Sequence, residues 1–199
     1  MERKDGKVIA IAALFIGVIG LSVGFASLQT SLQINGAATV KSSKWDVHFA
    51  NLTAVTKTGT ATEVTAPTIK SNNSVASTLI GDYSVTLTSP GDSISYKFDI
   101  TNAGDYNAKI SSITIPTPTC TGNGTNATTD ANNVCSKLTY TLTYTDGGAT
   151  VKANDTLTAG QTRNVTLKLA YSDDITASEL PKDDVAITNL QIPIVYVQY

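Results

Sequence analysis

The chain has 199 residues and a formal charge of −2, and only 15% of it is charged, against the roughly 25% usual for soluble domains. Beyond Arg3, Lys4 and Lys7, its Lys and Arg are scattered singly, so no basic patch offers the counterion release on which nucleic-acid binding rests. Thr, Ser, Asn and Gly stand where Lys and Glu normally build surface helices, a composition that favours pleated strands joined by turns.

In chain order, the first element is the apolar run Val8 to Ala26, VIAIAALFIGVIGLSVGFA, which follows Arg3, Lys4 and Lys7. A charged start, an apolar middle and small residues at Gly24 and Ala26 describe a signal peptide over 1–26, cut between Ala26 and Ser27. The same nineteen residues can just span a hydrocarbon core of about 30 Å, so a retained anchor is the alternative. A third is cleavage after Gly6, as in type IV-like pilins, although the usual acidic residue near the start of such a helix is missing. Any membrane contact would be through 8–26 if that run stays uncut. The 173 residues that follow suffice for one domain with a sizeable core.

The stretch LQTSLQINGAATV, Leu28 to Val40, places Leu28, Thr30, Leu32, Ile34, Gly36, Ala38 and Val40 on one face and mostly Gln, Ser, Asn and Thr on the other. This period of two predicts a strand. It carries no charge, and KSSK at 41–44 supplies a short polar hinge, so 27–43 reads as a strand and hinge preceding a domain over 44–199. Alternation alone leaves open whether the strand completes its own sheet or that of another copy.

Period two then recurs. KWDVHFA places Trp45, Val47 and Phe49 on one face, and DYSVTLT does the same with Tyr83, Val85 and Leu87. SISYKFDIT places Ile94, Tyr96, Phe98 and Ile100 together, KLTYTLTYT places Leu138, Tyr140, Leu142 and Tyr144, and NVTLKLAY places Val165, Leu167, Leu169 and Tyr171. The ending VAITNLQIPIVYVQY is either one central strand or two strands broken at Pro193. Between strands, SPGD at 89–92, NAGDYN at 102–107 and TDGGA at 145–149 carry turn chemistry, and SDDITASELPKDD at 172–184 predicts a short helical turn ended by Pro181. A faint echo, Leu-Thr, a turn Gly and then an alternating strand, links 87–100 with 157–169 and suggests equivalent strands in two packed sheets. The whole reads as an all-β, antiparallel β-sandwich of jelly-roll or immunoglobulin-like type after an N-terminal apolar helix.

Chemistry-bearing residues are few. Cys120 and Cys135 lie in one irregular segment and, in an exported chain, predict a disulfide that staples a surface loop. The single histidine, His48, sits inside a predicted strand, with no HExxH or GxSxG motif to support catalysis. The pairs Asp173-Asp174 and Asp183-Asp184 lack EF-hand spacing and read as solvated loops, so no metal, cofactor or catalytic residue is assigned. Sequons begin at Asn51, Asn72, Asn123, Asn126, Asn154 and Asn164, as an Asn- and Thr-rich chain produces by chance.

The ordered series GFASLQ, WDVHF, LTSPGDSISYKFDITNAGD and LTAGQTRNVTLKLAY resembles the exported TasA/camelysin-type proteins of Gram-positive bacteria, most tellingly from Leu87 to Gly104. The resemblance implies a secreted subunit of an extracellular fibre or biofilm matrix that polymerises by donor-strand complementation, while the missing HExxH and GxSxG motifs speak against an enzyme. The donor strand would present Leu28, Leu32, Ile34, Ala38 and Val40. The acceptor would be a sandwich whose core holds Trp45, Val47, Phe49, Tyr96, Phe98, Ile100, Val165, Leu167 and Leu169. The partner is then another copy of the chain, with other matrix or cell-surface proteins as further partners. The alternative is a membrane-anchored monomeric adhesin, and a type IV-like pilin or camelysin-like metalloprotease stands third.

Overall fold

The computed structural model describes residues 11–16, 36–72, 74–81 and 83–199. It divides into two units, Met1–Lys41 and Ser42–Tyr199. In the first, residues 11–16 are helical, and 36–40 are exposed with no strand pairing, Val40 at 95% exposure. Leu28, Leu32 and Ile34, and the Ala26–Ser27 cleavage site, lie outside the described residues. Among the described residues no helix is long and apolar enough to cross a membrane.

The second unit is mostly strand, and every pairing in it is antiparallel. Its main sheet runs β1 (Val47–Ala50), β7 (Ser93–Asn102), β12 (Thr162–Tyr171) and β10 (Leu138–Tyr144). A further strand, β2 (Thr56–Thr58), shares the outer edge of β7 with β1. Between β1 and β2 the pairing slips by two residues, where Asn51 takes φ +50° and Thr53 N–H bonds Lys97 O at 2.8 Å. That irregularity interrupts an edge that would otherwise be long and flat. It also lets Asn51 donate to Asp99 at 2.7 Å; Asn164 donates to the same carboxylate from β12.

Alternation along β7 and β12 turns Ile94, Tyr96, Phe98, Ile100, Val165, Leu167 and Leu169 inward, and all are buried in one core. The same core includes Ala108 and Ile110 of β8 (Ala108–Ile113) and Leu157 of β11 (Thr156–Leu157), with Ile194 and Tyr196 of β14 (Ile194–Gln198) packed at its margin. These three strands form a second sheet in the order β11-β8-β14. Three two-stranded sheets complete the fold: β9 (Thr119–Gly122) with β13 (Val185–Thr188), β3 (Thr62–Thr65) with β6 (Ser84–Thr86), and β4 (Thr68–Asn72) with β5 (Val75–Gly81).

Several expectations change here. Trp45 is 44% exposed and precedes β1, while Val47 and Phe49 are half-buried at the core margin; the chain enters the sheet two residues later than the alternation implies. The segment around the cysteines holds β9 and a helix, Ala127–Ser136, where sequence indicates only loop. Residues 172–184 do hold the expected single turn ahead of Pro181, closed by Glu179 N–H to Thr176 O at 3.0 Å. The echoing units 87–100 and 157–169 are not equivalent strands of two sheets: β7 and β12 are neighbours in one sheet, with Tyr96 opposite Leu167 and Phe98 opposite Val165. Each enters through a similar turn, with Gly91 at φ +87° and Gly160 at φ +75°, closed by Asp92 N–H to Ser89 O and Gln161 N–H to Thr158 O. The final segment is two strands, β13 and β14, in different sheets, and Pro193 lies just before the second.

Candidate functional site

A cleft of about 780 Å3 opens between β6 and β13. Consecutive residues of both segments border it, Tyr83 to Thr88 on one side and Leu180 to Ile187 on the other, so strand edges as well as alternating side chains face the opening. Among the described residues each strand has one partner, β3 for β6 and β9 for β13. One edge of each is thus unpaired among the described residues. Tyr83, Val85, Leu87, Val185 and Ile187 are half-buried along these walls. The main sheet contributes Leu138, Leu169 and Tyr171 to the lining, and the Ala127–Ser136 helix contributes Val134. A volume of this size lies within the range of roughly 300–1,000 Å3 seen for ligand sites.

The walls are held by polar groups that the fold brings together. Asp92, 1% exposed, accepts hydrogen bonds from the N–H of Thr60 (2.7 Å), Thr88 (2.7 Å) and Ser89 (2.9 Å) and from Thr60 Oγ1 (2.9 Å), which fixes the exit of β6. Burial raises the pKa of this carboxyl, and the N–H and O–H donors lower it; the donors prevail, so it lies below the usual carboxylate value. On the opposite wall Asp130, 2% exposed, reaches from the helix to accept Lys182 N–H (3.1 Å) and Asp183 N–H (3.2 Å). Cys120 of β9 sits opposite Ile187 of β13 and is disulfide-bonded to Cys135, the helix residue after Val134. This bond fits an oxidising compartment. At one end Tyr140 donates to Leu190 O at 2.6 Å, leaving Tyr83 to donate to Tyr140 at 2.9 Å, and burial pushes the pKa of both phenols up.

Of the expected core residues, Leu169 reaches this cleft, whereas Tyr96, Phe98, Ile100, Val165 and Leu167 lie elsewhere in the core. Trp45, Val47 and Phe49 instead line a groove of about 170 Å3 near β14, with His48, Thr78, Ile194 and Tyr196. His48 Nδ1 lies 2.7 Å from Asp46 Oδ1, and hydrogen bonds from Lys44 and His48 lower the Asp46 pKa. Among the described residues no group of three or more His, Cys, Asp or Glu is placed to hold a metal ion. The cleft itself draws on Tyr83, Val85 and Leu87, which alternation places on one face, but that β6 pairs with β3 alone among the described residues is invisible in sequence. No family model, curated protein or solved structure matches the chain.

Proposed function

We propose that this protein is a secreted structural subunit of an extracellular fibre or biofilm-type matrix, and that residues 28–40 of one copy occupy the β6/β13 cleft of the next. The observation that carries this reading is the opening between two strand edges above an apolar floor. On this view the fold is a jelly-roll-type sandwich whose second layer lacks one strand, preceded by an apolar helical leader. Main-chain hydrogen bonds to β6 and β13 would supply affinity, and Leu28, Leu32 and Ile34 would enter the apolar floor. Each such side chain contributes about 1.5–3 kcal/mol on full burial, offset in part by the cost of ordering the segment. A slip of one residue would turn that face to solvent, so alternation sets which face docks. The exposed, unpaired state of 36–40 suits a segment available to a neighbour.

The test is assembly of the exported protein. Its first residue should be Ser27 by amino-terminal sequencing, and electron microscopy should show filaments that are lost when 28–40 are deleted. Persistence of filaments in the deletion variant sinks the donor-strand mechanism.

A further inference from the structure

The polar stretch before β1 is not a loose hinge at its domain end. The turn after β7, residues 102–106, holds it by the main chain: Ala103 N–H bonds Asp46 O at 2.8 Å, Asp105 N–H bonds Lys44 O at 2.9 Å, and Lys44 N–H returns to the Asp105 carboxylate at 2.7 Å. The Ser43 and Tyr106 hydroxyls add a further hydrogen bond. Gly104 permits this approach, because a Cβ there would stand 2.7 Å from Lys44 O and 2.8 Å from Asp46 N. Asn102, 0% exposed, fixes the turn to the rest of the domain. Its amide donates to Tyr106 O at 2.8 Å and to Leu157 O of β11 at 3.0 Å, and its Oδ1 accepts Gly104 N–H at 3.1 Å.

This anchor and the floor of the cleft lie at opposite ends of β7. Val47, just past the anchor, pairs with Asn102, whereas the cleft-lining Leu169 pairs with Ile94, and Tyr171 N–H bonds Asp92 O. From Ile94 to Asn102 the strand advances about 26 Å at 3.3 Å per residue. A chain leaving Ser43 reaches at most about 11 Å by Val40 and about 18 Å by Ala38. Resting on the donor-strand reading above, we propose that the 102–106 anchor bars a copy from filling its own cleft with 28–40 and so commits that segment to another copy. A strand tethered by a permissive linker meets its own acceptor at an effective concentration in the mM range, so at about 1 μM subunit self-filling would outcompete assembly by about a thousandfold. A hinge too short to close on its own domain instead favours exchange between copies.

The test uses the full exported chain as wild type and with a flexible Gly-Ser insert of about fifteen residues between Lys41 and Ser42. The insert should raise the subunit concentration needed for filaments at least about a hundredfold and leave a monomer by light scattering. In that monomer 28–40 should resist a broad-specificity protease, whereas in wild type held below its assembly concentration the segment should be cut. Filaments at unchanged concentration with the insert overturn the bar while leaving the donor strand intact, and so does a monomer whose 28–40 segment is still cut. Protection of 28–40 in the unassembled wild type overturns it as well. Filaments that survive deletion of 28–40 overturn the donor-strand reading itself.

Discussion

Asp92 shows how one side chain can organise a loop. Its carboxylate gathers three N–H groups and the Thr60 hydroxyl at the turn that launches β7, so Asp92→Asn removes the charge and should destabilise the domain by about 2 kcal/mol in chemical denaturation. Because its pKa in the folded protein is depressed, the ionised group contributes stability above the unfolded carboxyl value. That contribution is lost as pH falls through the lower folded value. Melting temperature should therefore drop below about pH 4 in wild type, and by less in Asp92→Asn. One residue earlier, Gly91 at φ +87° occupies backbone space that a Cβ disfavours. Gly91→Ala should cost about 1–3 kcal/mol, read as a lower denaturant midpoint at unchanged m-value.

Among the elements, the β9–β13 pair and the Ala127–Ser136 helix form the wall of the cleft most dependent on cross-links. Two strands alone are marginal, and here they are tied to the helix by Cys120–Cys135 and by the Asp130 carboxylate. Replacing both cysteines with Ser should lower unfolding free energy by about 3 kcal/mol, measurable in guanidinium. The helix escapes sequence reading because Thr, Asn and Asp are weak helix formers, and only Asp130 and Val134 of its ten residues are fully buried. The β7/β12 echo was legible as pattern but not as placement, since similar turn-plus-strand units suit adjacent strands of one sheet equally well.

For the whole molecule, the cleft makes a prediction separable from folding. Leu180 is 41% exposed at its border, so Leu180→Asp should leave stability within about 0.5 kcal/mol while abolishing filaments in electron micrographs. Sequence alone determined the all-β class, the strands β7, β10 and β12, the inward faces of β7 and β12 and the pairing of the two cysteines, because period two and cysteine chemistry are local properties. Tertiary structure decided that Trp45 stays outside the core, that β7 and β12 share a sheet, and that β6 and β13 face each other across an opening. Those outcomes depend on which edges find partners, and edge pairing is settled by residues far apart in the chain, which no local pattern records.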